Sequence, residues 1–435
     1  MQLLPDIRFG IGILNFADFI VGSSMTLIVS FSSLLVSVVL LQLSSGILGP
    51  LDVLSGYELN FSTTQIGLLG SSHFIGFFIG CWWAPRLVGQ VNHSRCFAVF
   101  ASLGTIGILL HMVFIDPYAW AAMRILSGMC VAGCFTVIEG WIQAKTENQN
   151  RGKSLRLYRS VDMCGGIVAQ ILIAWLTPAH YVTYNLIAII CCASLLPLAL
   201  TRIPPPKTQQ KLRLKPKLAY QISPMATAGV VVSGITTAGF RMVGPIYGTQ
   251  IGLNNFEMGI FLASFLVGGA IAQFPTGWVA DKIDRRTVLI FLSFLATLAC
   301  VLTIYLSGHI PDSIFAATIV LGFFTFPIYS VSAALANDHA NPDQMVEVSA
   351  SLLFYYALGA IISPYFISGL IESFGVNAMF TIIALFHVAL VVFGVIRMRF
   401  RPSPEQRTNY VYTPRTSYLM GRLLRKSRKK SNEGK

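Results

Sequence analysis

Twelve apolar runs, each long enough to cross a bilayer, decide what this chain can fold into. A membrane-crossing helix needs about 20 mostly apolar residues to cover about 30 Å of hydrocarbon. Runs of that kind lie near residues 26–49, 66–84, 96–115, 119–144, 157–177, 182–201, 222–248, 257–280, 287–307, 313–336, 348–371 and 376–396. Gly and Pro recur inside them, which suits helices in lipid, where the backbone must satisfy its own hydrogen bonds. Period-two alternation is weak and argues against a transmembrane barrel. Composition agrees: 54% of the 435 residues are hydrophobic and 11% are charged, the latter under half of the usual quarter. A disordered chain, a soluble enzyme and a disulfide scaffold are excluded. The expected class is an all-α polytopic membrane protein with twelve transmembrane helices.

The net charge of +13 reports topology rather than a nucleic-acid partner. Basic residues gather in one set of connections: Arg86 and Arg95; Lys145 to Arg159; Arg202 to Lys217; Lys282, Arg285 and Arg286; and the tail. The alternate connections hold Asp52, Glu58, Asp116, Glu257, Asp312 and Glu372 and no Lys or Arg. By the positive-inside rule the basic side and both termini are cytoplasmic. Arg124 and Arg241 fall deep inside the predicted spans, while Arg159, at the edge of the fifth, groups with the loop charges. Residues 1–25 are expected to be an interfacial segment or to precede a true start at Met25; no cleavable signal is evident, since Asp18 interrupts the apolar stretch. All eight cysteines lie in spans as small apolar side chains. Cys130 and Cys134 are one turn apart, but no His or carboxylate completes a metal set.

The basic, Pro-rich stretch from Arg202 to Lys217 divides the chain into two halves of six spans, 26–201 and 222–397, joined by a linker over 202–221 and followed by a tail over 398–435. The halves match. Gln65-Ile-Gly67 and Gly76 answer Glu257-Met-Gly259 and Gly268 at an offset of 192, and Gly128 and Gly165 answer Gly322 and Gly359 at 194. Parallel six-helix repeats of this kind are a transporter architecture with a central site between the halves.

Between spans 8 and 9 stands Gly277-Trp-Val-Ala-Asp281-Lys-Ile-Asp284-Arg285-Arg286, and span 4 carries Arg124-Ile-Leu-Ser-Gly128. These resemble the loop and helix motifs of the major facilitator superfamily, with Asp284 in place of a glycine. The equivalent first-half stretch from Pro85 to Arg95 is degenerate, with Gly89 where the acid belongs. The run from Arg124 to Gln170 is most similar to the poorly characterised bacterial YcaD-type branch. The resemblance implies two pseudo-symmetric halves and a cavity lined by spans 1, 4, 7 and 10. Span 5 lacks the Gly-Pro motif usual in proton-driven drug exporters of the superfamily, reading Asp162-Met-Cys-Gly165-Gly166 instead.

Ionisable residues at bilayer depth are costly, so each is read as a functional site or a buried partner. Arg124 and Arg241 are candidate substrate contacts for an anionic or zwitterionic solute, the guanidinium fork suiting carboxylate or phosphate. The alternatives are hydrogen bonds from Arg124 to span 1 carbonyls and a pair between Arg241 and Asp52. Glu139 and Asp162 are candidate proton carriers, able to bind and release a proton as access alternates. The alternatives are partnership of Glu139 with Lys145 or Arg156, and of Asp162 with Arg159. His73, His111 and His387 read as hydrogen-bonded packing residues or, less simply, proton relays.

The connection after span 10 holds Asp338, Asp343 and Glu347. Through the pseudo-symmetry that the resemblance implies, it would face Arg86 and Arg95. Likewise Asp281 and Asp284 would face Arg151 to Arg159, and Glu147 would meet Arg285 or Arg286. Such cross-half pairs form a latch; the alternative is a set of solvated loop charges. Ser417 to Lys430 mixes leucines with basic residues and fits a segment on an anionic lipid surface, or a disordered tail.

No H-E-x-x-H, G-x-S-x-G or phosphate-binding G-x-x-x-x-G-K-[ST] occurs, so a membrane enzyme and ATP drive lose support. The expected function is secondary transport of a small organic solute by alternating access, coupled to a proton or other ion, without cofactor. Alternatives are a multidrug efflux pump, a membrane enzyme or a transporter-derived sensor. The expected setting is a monomer in a bacterial inner (cytoplasmic) membrane, with lipid and solute as partners and no nucleic acid.

Overall fold

The twelve apolar runs form twelve helices long and apolar enough to cross a membrane, in a computed structural model that describes residues 24–145, 151–200, 214–309, 313–341 and 344–400. Span 1 is Ser24–Glu58, span 2 Thr63–Val91, span 3 His93–Leu110 and span 4 Pro117–Lys145. Span 5 is Arg151–Leu172 with a 3-10 turn at Ile173–Trp175, and span 6 is Tyr181–Ala193 continued as Leu195–Ala199. The second half holds span 7 (Pro224–Gln250), span 8 (Asn255–Lys282) and span 9 (Arg285–His309). Span 10 runs as Ser313–Thr325 and Pro327–His339, span 11 is Met345–Phe374 and span 12 is Ala378–Phe400. No strand occurs among the described residues. One end of the bundle, the basic face, carries the connections after even-numbered spans; the opposite face carries the others.

Three boundaries differ from expectation. Span 1 does not stop at Gly49-Pro50 but runs through Pro50 to Glu58, so Asp52 lies within the helix rather than in a loop. A proline inside a helix removes the bond to the carbonyl four residues back, here Gly46. That carbonyl instead accepts a hydrogen bond from the Gln170 side chain of span 5 at 3.0 Å, which lets the helix continue. Span 5 starts at Arg151, ahead of the predicted edge, and carries Arg159 into the bundle. Residues 216–221, expected as linker, lie in a short helix (Pro216–Ile222) held against span 11 by Tyr355, whose hydroxyl donates to the Pro216 carbonyl at 3.3 Å. The segment before residue 24, Glu147, the linker through residue 213, Asp343 and the tail after residue 400 lie outside the described residues.

The repeated glycines have a packing reason. A Cβ on Gly76 would come 1.9 Å from the Ile125 carbonyl oxygen and one on Gly128 2.0 Å from that of His73, so spans 2 and 4 touch backbone to backbone. Gly268 and Gly322 do the same between spans 8 and 10, at 2.0 Å from the Ile319 oxygen and 2.1 Å from the Phe265 oxygen. Each half thus closes on the same pair of contacts.

The halves meet along spans 2 and 11, 5 and 8, and 1 and 7, with many of these contacts towards the opposite face. At Gly67 of span 2 a Cβ would lie 2.7 Å from the Pro364 carbonyl of span 11. Nearby, the Tyr365 N–H, next to Pro364, donates to the Ser71 hydroxyl at 3.1 Å. At the rim, the Thr64 N–H and hydroxyl both donate to the Glu372 carboxylate, at 3.0 and 2.6 Å. Glu372 therefore caps the first turn of a helix in the other half.

Candidate functional site: a central cavity with buried charge on one wall

Between the halves lies a cavity of about 1170 Å³ of empty space, part of it open to solvent. Its apolar lining includes Phe74, Phe77 and Phe135 from the first half and Phe240, Phe265 and Phe326 from the second. Phe240 and Phe265 stack at 4.1 Å between ring centroids, and Phe326 packs against Phe265 at 5.3 Å. Polar groups enter at few points: Gln42, His73, Arg159, Asp162 and Gln170 from the first half, Thr237, Arg241 and Tyr356 from the second.

The first-half wall holds a charged cluster. Asp162 accepts hydrogen bonds on both oxygens, from Gln42 at 2.5 Å and from Arg159 at 3.0 Å. The other terminal nitrogen of Arg159 donates to Glu139 of span 4, which also accepts from the Tyr158 hydroxyl at 3.1 Å. Glu139 is 1% exposed, and Arg159 and Asp162 are 9% each. A single guanidinium thus bridges two carboxylates on two helices. The spacing of three residues places Arg159 and Asp162 on one helical face, as the sequence alternative for Asp162 had it. Glu139 pairs with Arg159, one turn further along span 5 than the Arg156 expected as an alternative; the side chain of Lys145, the other expected partner, lies outside the described residues. Arg159, Gln42 and Tyr158 were not picked out as site residues, because Arg159 had been counted with the loop charges. The signal available was Asp162 itself, three residues downstream inside an apolar run.

Of the two expected substrate arginines, only Arg241 lines the cavity; it is half-buried there. Arg124 does not. Its Nε lies 3.5 Å from Asp52, so Asp52 pairs with Arg124 rather than Arg241, a consequence of span 1 continuing past Pro50. His111 Nε2 stands 3.4 Å from the same carboxylate and the Tyr184 hydroxyl donates to it at 2.9 Å. The His111 ring stacks on Tyr184, donates from Nδ1 to the Gly107 carbonyl at 2.7 Å, and its own carbonyl accepts from Trp120 at 2.8 Å. All of these side chains are buried. The cluster knits spans 1, 3, 4 and 6 together within the first half. His73 lies 3.4 Å from the Ser127 hydroxyl and His387 3.0 Å from that of Thr236, the pattern of packed, hydrogen-bonded histidines.

The loop motif and its expected partners make close pairs within the second half. Arg285, 1% exposed, donates to Asp338 at 2.5 Å and to the Ala334 carbonyl at 3.1 Å, and lies 3.5 Å from Asp281. Asp338, expected opposite Arg86 and Arg95, is thus held inside the second half. Asp284, the motif's departure from glycine, accepts from the Arg286 N–H at 3.0 Å and pairs with its guanidinium at 2.7 Å, capping the start of span 9. Gly277 is buried within span 8. Glu347 pairs with Lys215 at 2.8 Å. Arg86 lies 3.9 Å above the ring of Trp82, one turn back on its own helix, and Arg95 is exposed at the start of span 3. In each of these pairs the partner lies about one helical turn away or on a neighbouring element, within easy reach. No group of three or more His, Cys, Asp or Glu able to hold a metal ion occurs among the described residues.

Comparison with known proteins agrees with this architecture. The family model of the Major Facilitator Superfamily matches residues 25–224 and 226–428. The uncharacterised MFS-type transporter YcaD of Salmonella paratyphi A is 26% identical over 353 residues, 81% of this chain and 91% of that protein. The protein of the same name from Salmonella typhi matches equally. Among solved structures, a mutant of the nucleoside transporter NupG superposes with a TM-score of 0.70 at 13% identity, covering 84% of this chain and 98% of that one. A bacterial homologue of the human lysosomal transporter Spinster, inward-facing and occupied, gives 0.69 at 13% identity, covering 85% and 96%. A D-xylose–proton symporter gives 0.64 at 14% identity, covering 87% and 98%. At such identities the structural likeness carries the fold alone. With its family model spanning both six-helix halves, the chain belongs to the Major Facilitator Superfamily and is a multi-pass membrane transporter rather than an enzyme.

Proposed function

We propose that this protein is a proton-coupled secondary transporter that moves a small organic solute through the central cavity by alternating access. The observation that carries the reading is the cluster of Glu139, Arg159 and Asp162 in the cavity wall. Two carboxylates face one guanidinium at bilayer depth, where uncompensated charge is costly. A proton delivered to Asp162, the carboxylate of the cluster that lines the cavity, weakens its bond to Arg159 and leaves that guanidinium to Glu139. Release of that proton restores the shared bridge. Because Gln42 of span 1 also binds Asp162, the exchange is coupled to the position of a second helix.

Arg241 supplies a positive group on the facing half and supports a solute with a carboxylate or phosphate, its rings or alkyl parts lying among the phenylalanines. Closure at the opposite face through Gly67, Ser71 and the Glu372 cap supports a state in which the cavity communicates with the basic face. Rocking of the halves would break those bonds, each of which has an alternative partner in water. The positive-inside argument places the basic face and both termini in the cytoplasm of a bacterial inner membrane, with the protein acting as a monomer. The aromatic lining also suits efflux of amphipathic drugs, and drug-sensitivity tests of cells producing the protein separate that reading from metabolite transport.

A thermal-shift screen of metabolites on purified protein identifies a ligand, since binding to the folded state stabilises it in proportion to ln(1 + [L]/Kd). That ligand, added to proteoliposomes, should then drive proton movement reported by an internal pH dye. Asp162→Asn should retain the thermal shift and lose proton movement. Proton movement that persists in both Asp162→Asn and Glu139→Gln sinks the assignment, and binding without any flux identifies a sensor.

A further inference from the structure

Outside the cavity, on the lipid-facing flank where the halves meet, spans 2 and 11 leave a second hollow near the basic face. It encloses about 470 Å³ of empty space and is walled by Phe78, Trp82 and Pro85 from span 2 and by Leu353 and Phe354 from span 11, with Leu214 at its end. Phe78 and Phe354 meet edge-on at 5.6 Å across the seam between the halves. The lining is apolar apart from its rim, where Arg86 stands.

The state of Arg86 is informative. Its guanidinium carbon lies 3.9 Å above the Trp82 ring, and Nη1 donates to the Trp82 carbonyl at 2.5 Å. The side chain is exposed, and among the described residues no carboxylate lies within ion-pair distance of it; Glu347, at the start of span 11, is taken by Lys215. Arg86 is thus held against the indole on an exposed side chain. Its level in the bundle is set by a repeat: Lys282 lies 3.8 Å over Trp278 at the corresponding end of span 8. Trp at matching helix ends marks the bilayer interface. From Arg86 the trough runs two turns, roughly 12 Å by helix rise, towards Phe78 and the hydrocarbon.

We propose that this groove binds an anionic phospholipid, its headgroup phosphate on Arg86 and an acyl chain along Trp82, Phe78 and Phe354. A fixed arginine fork suits a phosphate better than the point charge of a lysine does. An apolar trough opening towards the bilayer takes a chain that a water-soluble anion does not have. The two walls belong to different halves, so the lipid favours the separation of spans 2 and 11 seen here over any state that changes it. The inference is independent of the proton cluster.

The test compares purified full-length protein in nanodiscs of phosphatidylcholine and in nanodiscs containing phosphatidylglycerol as well, reading the unfolding midpoint and the lipid retained in native mass spectrometry. Phosphatidylglycerol should raise the midpoint of the wild type and of Arg399→Gln, a control arginine exposed at the end of span 12. Arg86→Gln should lose most of that rise and retain one phosphatidylglycerol molecule fewer. Equal rises in Arg86→Gln and Arg399→Gln, or no rise in the wild type, overturn the proposal. So does an equal rise caused by inorganic phosphate in detergent, which would assign the site to the free anion.

Discussion

The two halves share a backbone plan and differ in where they keep their charges. In the first half they are deep: Asp52 with Arg124, and Glu139 and Asp162 with Arg159, all at most 9% exposed and spread over spans 1, 4 and 5. In the second half the ion pairs sit at the basic face, where Arg285 joins spans 8, 9 and 10 through Asp281 and Asp338. Interior charge there is reduced to Arg241. Holding ionised groups in a bundle interior carries a desolvation penalty that good pairing only balances. A half that keeps five such groups has use for them, whereas one with fixed pairs at its rim resembles a rigid lever. On the proposed function, the first half would carry the chemistry and the second the mechanical stiffness.

The largest effect expected is from Arg159→Ala, which leaves two buried carboxylates without their shared partner. Removing one member of a buried pair costs about 3–5 kcal/mol, read as a drop in unfolding midpoint at neutral pH. The additional change Glu139→Gln should recover part of it, and no recovery would mean that Arg159 acts through packing alone. Arg285→Ala should destabilise by a similar or slightly smaller amount, about 3 kcal/mol, because buried Asp338 then loses its guanidinium partner. If the second half is only a lever, Arg285→Lys should restore stability in part and leave solute binding unaltered; altered affinity in that variant would break the division of labour.

Glu372→Gln weakens the cap on span 2 at an exposed rim, where a charge is worth under about 1 kcal/mol. Stability should hardly move, yet Thr237→Cys in the cavity wall should become more reactive to a membrane-impermeant thiol reagent added from the opposite face. The smallest effect concerns the degenerate first-half turn. Asn92 caps span 3 by accepting from the Arg95 N–H at 3.2 Å, the place that Asp284 holds at span 9. Asn92→Asp should add a few tenths of a kcal/mol through the helix dipole without altering transport. A large change in transport would show that the two turns are not equivalent.

Much of the fold was legible in the sequence because its signals are long: an apolar run of 20 residues survives any error of a few positions, and so do the alternating loop charges. The glycines repeated near offsets of 192 and 194 were legible because backbone contact between spans 2 and 4 admits no side chain. Pairings were harder to read. Which acid meets which arginine depends on the rotation and depth of two helices, and an error of one turn changes the answer. Arg159 reads as a loop charge because it stands at the edge of the hydropathy run, and span 5 begins one to two turns before that edge. Asp52 was placed outside the membrane because Pro50 reads as a stop signal, and nothing local in the sequence announces that Gln170, 120 residues away, will repair the break.

That repair has a consequence for how the cavity is sensed. Gln170 reaches the cavity with the same amide that satisfies Gly46. A primary amide has two N–H groups, so one is committed to the backbone of span 1 and the other group and the oxygen are available to a guest. Any solute that rotates this amide to suit itself withdraws a splint from a helix already weakened by Pro50, while one that accepts it as it stands tightens the splint. If the cavity holds the solute as proposed, Gln170 would tie its fit to the hydrogen bonding of span 1 beside Pro50.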